Sequence, residues 1–310
     1  MTPEERPFRF GLLIDTRQAT RDSLLDLARR AEAGGISILL GTDHLGRWAA
    51  LPLLQAAAAG TGLRIGTFVL NNDLRQPVVL AQELATVDML TQGRLEIGLG
   101  AGWARPEYEA AGIPFDPPGL RLARMERSVE VLKQALRDGR INLPASAAYP
   151  AMRLDSVPRS LQRPHPPVLV GGGGPRLLSF AAQEADIVAL NPRSRPVGGL
   201  DTSDIREEDV DRKIGWVRKA AGDRWARLEI NVILFGVDPE YRVRRGPPPA
   251  RSHRIREQEL PRSPHYLTGD ADEMSEQLLA RRERWGISYV AMRPEHLEPA
   301  GEVVRRLAGR

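Results

Sequence analysis

The stretch GRLEIGLGAGW, residues 93–103, decides the fold of this 310-residue chain. It reads as a short buried strand over 94–98 that runs into Gly98, Gly100 and Gly102. Three other blocks have the same form: GTDHL (41–45), IGTFVLNND (65–73) and PVLVGGGGP (167–175). Each ends an apolar strand with residues suited to holding a flat ring or a phosphate. Four such strand ends in one chain point to a barrel whose chemistry sits at one rim.

The rest of the chain alternates in step with that reading. FRFGLLI (8–14) is a first strand, and Thr20 caps a helix with Leu24, Leu27, Ala28 and Ala31 on one face, ended by Gly34 and Gly35. ISILL (36–40) is the second strand, followed by a helix over 48–59. LRIGTFVL (63–70) is the third; Pro77 opens the next helix, Leu80, Leu84 and Val87 form its inner stripe, and Gly93 stops it. Beyond the fourth strand, Leu122, Met125, Val129, Leu132 and Leu136 recur at helical spacing. PVLV (167–170) is the fifth strand and a helix opens at Pro175; DIVAL (186–190) is the sixth, with Val210, Ile214, Val217 and Ala221 marking its helix. LEINVILF (228–235) is the seventh, Asp270 and Glu273 form a capping box, and ISYVAM (287–292) is the eighth, with a terminal helix near 302–307.

Eight strand–helix pairs imply an α/β protein whose parallel sheet closes into a (β/α)₈ TIM barrel with insertions. No linker splits the chain, so one domain over residues 1–310 is expected. Three stretches read as irregular: 139–166, 191–204 and 238–264. The last holds three consecutive prolines (247–249) and many arginines, and is expected to be poorly ordered or to act as a lid.

Composition narrows the function. Apolar residues make up 42%, enough for a sizeable core, and charged residues 27%, ordinary for a soluble protein. The absence of cysteine excludes disulfides, cysteine–zinc sites and thiol nucleophiles. Net charge is +4, from 44 basic and 40 acidic residues, and arginine carries the imbalance, since the lysines are Lys133, Lys213 and Lys219. That excess reads either as a solvated surface or as a rim that attracts an anionic cofactor or substrate. No basic run interleaves with aromatics, which are only 5%, so nucleic acid is not an expected partner. The opening MTPEERPFRF lacks a signal-peptide pattern and no run of eighteen apolar residues exists, so no membrane association and a cytoplasmic location are expected.

The strand ends supply the candidate chemistry. After the second strand come Asp43 and His44; an Asp–His pair can orient a polar ring edge and move a proton, although a histidine there can equally satisfy a local carbonyl. Asn71, Asn72 and Asp73 follow the third strand and read as amide partners for a heterocycle or as a turn. The fourth strand's glycines let backbone approach a ligand closely, but the dinucleotide fingerprint fails because Trp103 stands where its third glycine would be. Gly171, Gly172, Gly173 and Gly174 lead straight into a helix at Pro175, a ready anion site without a Walker lysine. Asn191, after the sixth strand, can add a donor to the same phosphate. The five histidines lack metal-ligand spacing, so no metal is expected, and there is no G-x-S-x-G elbow. A flat cofactor with a phosphate tail explains more of the chain than direct hydrolysis does.

These blocks closely resemble the luciferase-like monooxygenase superfamily, and within it the branch that uses the deazaflavin coenzyme F420. The resemblance runs through GTDHL, the long block from IGTFVLNND to LGAGW, PPVLVGGGGPRLLSFAAQEADIVAL and SPHYLTGDADEMSEQLLARRERWGISYV. It implies the barrel, a deazaflavin across its C-terminal mouth, and a single luciferase-like domain over 1–310. It carries the ring and reaction-centre contacts over to Asp43 and His44, a non-proline cis peptide behind the ring to Phe68 and Val69, and a ring contact to Asn71. It also implies backbone donors to the cofactor phosphate at Gly173 and Gly174, and a nearby contact at Asn191. Trp103 departs from the glutamate that sugar-phosphate dehydrogenases of the family carry there, which argues against sugar phosphates and for a more apolar or aromatic substrate; the alternative is that Trp103 is only a pocket wall. The short loop after His44 can widen the mouth or weaken cofactor binding.

The expected function is hydride transfer between F420 and a small organic substrate, with His44 as proton donor or polariser beside Trp103. An FMN-dependent monooxygenase on the same barrel is the alternative, and a barrel without catalysis that serves as a binding protein is the third reading. Barrels of this superfamily commonly dimerise, and a homodimer is the expected assembly.

Overall fold

In the computed structural model, which describes residues 2–14, 16, 20–195, 200–201, 203–238 and 257–310, eight parallel strands close on themselves. They are β1 (Arg9–Ile14), β2 (Ile38–Gly41), β3 (Arg64–Thr67, continued by Leu70–Asn71), β4 (Leu95–Gly100), β5 (Val168–Gly172), β6 (Ile187–Leu190), β7 (Glu229–Ile233) and β8 (Ile287–Met292). Closure comes from β3 pairing with both β2 and β4 while β1 pairs with β2 and β8. The α/β barrel reading therefore holds.

The helices are α1 (Arg21–Ala33), α2 (Ala50–Ala59), α3 (Pro77–Leu90), α4 (Arg105–Ala111), α5 (Pro118–Asp138), α6 (Pro175–Glu184), α7 (Glu207–Ala221), α8 (Ala271–Trp285) and α9 (Gly301–Leu307). Local chemistry sets their ends. Thr20 Oγ1 accepts from the Ser23 N–H at 3.2 Å, and Asp270 Oδ1 accepts from the Asp272 and Glu273 N–H groups at 3.0 Å each. Leu24, Ala28 and Ala31 of α1 and Leu178, Ala181 and Ala182 of α6 are the buried stripes that dock on the sheet.

Two apolar layers result. The larger lies between strands and helices; the smaller fills the barrel with Leu13, Ile38, Leu40, Phe68, Leu169, Ile187, Ala189, Ile233, Tyr289 and Ala291. No helix among the described residues is long and apolar enough to cross a membrane.

The structure departs from the sequence-based expectations in informative places. β4 and β5 run two residues further than expected, so Gly100, Gly171 and Gly172 are strand residues. The 139–166 stretch, expected to be irregular, contains an antiparallel pair, Ile141–Leu143 with Met152–Leu154. A short helix, α4, follows β4 where none was expected. In the 238–264 stretch, residues 239–256 and the three prolines lie outside the described residues; around them Gly236–Asp238 pairs with Tyr266–Thr268, and Glu257–Arg262 forms a 3₁₀ helix. Residues 196–199 and 202 of the 191–204 stretch also lie outside; of the described ones, Ser194 forms an antiparallel bridge with Leu200.

Candidate active site at the barrel mouth

A cavity of about 540 Å³ opens at the C-terminal ends of the strands. Asp43, His44, Phe68, Val69, Asn71, Trp103, Gly171, Gly172, Gly173, Gly174 and Asn191, all singled out from sequence, line it, whereas Asn72 and Asp73 do not: Asn72 is buried and Asp73 is held by Arg124 at 2.6 Å.

The floor is shaped by β3. Its ladder to β4 advances one residue further on β3 than on β4 between the Gly66–Glu96 and Leu70–Leu99 partners, so Phe68 and Val69 bulge out of the sheet. The Phe68–Val69 peptide bond is cis. Thr67 stitches the gap: its hydroxyl donates to the Gly98 carbonyl at 2.9 Å and accepts from the Gly98 N–H at 2.8 Å. A β-carbon on Gly98 would lie 1.9 Å from the Thr67 carbonyl oxygen, and one on Gly100 would lie 2.7 Å from Val69. The fourth-strand glycines therefore make room for the neighbouring bulge. The expectation that they admit a ligand is corrected at Gly98 for that reason, while Gly100 and Gly102 line the cavity.

Asp43 is committed to the protein. Its carboxylate accepts from Arg75 Nη1 at 2.5 Å, from Arg75 Nη2 at 3.0 Å and from the Asn71 backbone N–H at 3.0 Å. It thus pins the end of β3 to the end of β2. Asn71 Oδ1 accepts from the Asp73 N–H at 3.2 Å and from the Tyr108 hydroxyl at 3.1 Å. With that oxygen occupied, Asn71 can offer a ligand its amide N–H groups.

His44 has a partner that the sequence reading did not find. Nδ1 lies 2.6 Å from Glu107 Oε1, on the first turn of α4. An ionised carboxylate only accepts, so Nδ1 carries the proton and Nε2 is the ring atom left for chemistry. Trp103 meets His44 edge-on, with ring centroids 5.9 Å apart and planes at 82°. The 101–104 turn that carries Trp103 is clamped from below. Buried Arg121 donates to the carbonyls of Ala101, Gly102 and Asp116 and stacks on Phe115 at 4.1 Å. Gly102 takes φ +73°, and a β-carbon there would collide with the Tyr108 hydroxyl. Burial, then the charge of Asp73, pushes the Tyr108 phenol up to about 12. Pro106 in the first helical turn after the strand was the sequence signal for α4, and hence for Glu107.

At the other end of the cavity, Gly174 precedes α6 with no side-chain cap, the helix starts at Pro175, and Gly174, Pro175, Arg176 and Leu177 line the cavity, which puts the positive end of the helix dipole beside it. Gly173 is required by close approach: a β-carbon would lie 2.4 Å from the Asn191 carbonyl oxygen and 2.6 Å from the Arg193 nitrogen. That carbonyl in turn accepts from Lys213 Nζ at 2.9 Å. Lys213 and Asp204 form a fully buried pair at 2.9 Å, and burial pulls the Lys213 ammonium below its usual range. Lys213 thus positions Asn191 from beneath, a role with no sequence signature.

The arrangement provides an anion cradle at one end, a flat bulge in the middle and an oriented imidazole at the other. A planar ring system with a phosphate-bearing tail fits that order of groups.

Comparison with known proteins gives concordant findings. The luciferase-like monooxygenase family profile matches residues 7–208. An F420-dependent glucose-6-phosphate dehydrogenase of Kineococcus radiotolerans is 30% identical over 232 residues, which is 67% of this chain and 67% of that protein. A counterpart from Nakamurella multipartita is 32% identical over 198 residues, 60% of this chain and 56% of its own length. The chain thus matches between half and about two thirds of these relatives. An FMNH(2)-dependent dimethylsulfone monooxygenase of Pseudomonas putida is 26% identical over 168 residues, 54% of this chain and 43% of that protein. In fold, the chain is similar to the coenzyme F420-dependent tetrahydromethanopterin reductase of Methanopyrus kandleri, with TM-score 0.76, 17% identity and coverage of 97% and 99%.

Proposed function

This chain belongs to the luciferase-like monooxygenase family, and on that premise we propose that it is an oxidoreductase that uses coenzyme F420 and acts on a small organic substrate. The observation that carries the proposal is convergence. The 171–174 glycines with the α6 N-terminus, the Phe68–Val69 bulge, Asn71 and the His44–Glu107 pair all face one cavity. The relatives named for F420 support the choice of deazaflavin.

When bound, the deazaflavin supplies hydride chemistry; this chain supplies grip, orientation and a proton. Backbone N–H groups of the glycine turn and the first turn of α6 would hold the phosphate, with Asn191 beside them. Phe68 and Val69 would back the ring, and Asn71 would donate to its polar edge. His44 would give or take a proton at Nε2 on the substrate. Glu107 fixes the imidazole tautomer and balances the positive charge that protonation creates. Trp103 closes the site beside His44 and limits water.

Equilibrium binding of F420 and FMN to the purified protein tests the reading. F420 should bind at least about tenfold tighter, a difference of about 1.4 kcal/mol. Preferential FMN binding would instead support a flavin monooxygenase, the reading favoured by the Pseudomonas putida relative. Binding of neither, together with a stable protein complex, would support a non-catalytic barrel.

A further inference from the structure

The groups assigned so far occupy one arc of the mouth. β2 to β6 and the turns after them contribute His44, Phe68, Asn71, Trp103, the 171–174 glycines and Asn191. The remaining arc is built by β7, β8 and β1, which contribute Ile233, Phe235, Arg293 and Leu13. Leu13, Ile233 and Phe68 belong to the apolar layer inside the barrel, and Phe235 packs against it. Among the described residues that line the cavity, this arc is therefore an apolar wall with one charge, Arg293, directly after β8.

Arg293 differs from the other arginines of the cavity. Arg176 is tied to Glu126 at 2.9 Å and Arg193 to Asp204 at 3.3 Å, while Arg121 is spent on backbone carbonyls. The acids of the cavity are spoken for as well, Asp43 by Arg75 and Glu107 by His44. Among the described residues, the ion pair that Arg293 makes is with Glu295, at 3.9 Å, with side chains 40% and 57% exposed. A contact that long and that exposed competes weakly with an incoming anion. A guanidinium beside apolar surface is a fork suited to a carboxylate whose attached body is apolar.

We propose that the β7–β8–β1 arc is the substrate subsite and that the substrate is an apolar molecule ending in a carboxylate, with the carboxylate on Arg293 and the body along Leu13, Ile233 and Phe235. The proposal rests on the reading of the opposite arc as the cofactor site. It gives Arg293 a substrate-side role distinct from holding the cofactor phosphate. It also agrees with Trp103, an aromatic at the place where a carboxylate would serve a polar sugar.

The test uses 4-phenylbutyrate and its uncharged amide, 4-phenylbutyramide, titrated against the F420-loaded protein. The acid should bind at least about tenfold tighter than the amide. Arg293→Gln should abolish that preference while leaving F420 affinity within about twofold and the thermal midpoint unchanged. Equal binding of acid and amide, binding of neither, or a preference that survives Arg293→Gln would overturn the proposal. A fall in F420 affinity in Arg293→Gln would also overturn it, by assigning the arginine to the cofactor. Should the wild-type protein fail to bind F420, the cofactor reading fails by itself, and the same acid–amide comparison on the unloaded protein still decides the arc.

Discussion

At the N-terminal end of the barrel Arg9, Arg64, Glu96 and Glu229 bond one another, whereas at the C-terminal mouth His44, Asn71 and the first turn of α6 each keep something in reserve. Arg9 bonds Glu96 at 2.6 Å and Glu229 at 2.7 Å, Arg64 bonds Glu96 at 2.8 Å, and Tyr289 lies under the Arg9 guanidinium at 4.3 Å. Arg9 spends its donors on Glu96 and Glu229, and Arg64 spends its own on Glu96, the Leu95 carbonyl and the Gln162 amide oxygen. At the mouth, His44 spends Nδ1 on Glu107 and keeps Nε2; Asn71 spends its oxygen and keeps its N–H groups; the first turn of α6 keeps its backbone donors. Both ends are polar, but a network that satisfies itself can only hold the barrel together, while one left half-satisfied beside a cavity can bind and react.

Breaking the closed end should have the largest effect. Glu96→Ala removes the buried carboxylate that Arg9 and Arg64 share and should cost about 3–5 kcal/mol of stability, read from denaturant unfolding. F420 affinity of the folded fraction should be retained. A cost below about 1 kcal/mol would show that the lower network is no more than a surface ion pair.

The open end should answer in rate rather than stability. His44→Ala should lower turnover by about 10²–10⁴-fold with little change in the unfolding midpoint. Glu107→Gln, which keeps the shape but loses the charge, should lower turnover less and in the same direction. Unchanged turnover in His44→Ala would make the imidazole structural and remove the contrast between the ends.

The smallest effect sits under the mouth, at Tyr108. Its phenol holds its proton up to about 12, against an ordinary value of 10. As pH rises past 10 the unfolded chain loses this proton first, so the folded form is favoured less, and stability present below pH 10 is lost toward pH 12. Tyr108→Phe should cost about 1 kcal/mol at neutral pH through the lost hydrogen bonds. It should also flatten the decline between those two pH values relative to wild type. Parallel unfolding-versus-pH curves for the two proteins would refute the assignment.

Much of this was legible in the chain because it is written locally. Strand periodicity, the Thr20 and Asp270 caps, and Pro77 and Pro175 at helix starts are short-range signals, and the barrel follows from their alternation. The lining residues were legible because strand ends of a parallel barrel share one rim. The His44–Glu107 pair was not, because its members lie 63 positions apart and meet only when α4 folds over the mouth. The role of Gly98 was misread for the same reason: its missing side chain answers to Thr67 on the adjacent strand, 31 positions away.

The sequence by itself determined the order of elements, the closure into a barrel and the set of residues at its rim, since each depends on periodicity and turn chemistry within a few positions. Only the tertiary structure decided which atoms of those residues remain unspent. Hydrogen bonds across the barrel commit Asp43 to Arg75, half of Asn71 to Tyr108 and Nδ1 of His44 to Glu107. What a residue can do for a ligand is what its neighbours leave over, and neighbours in space are set by packing rather than by spacing along the chain.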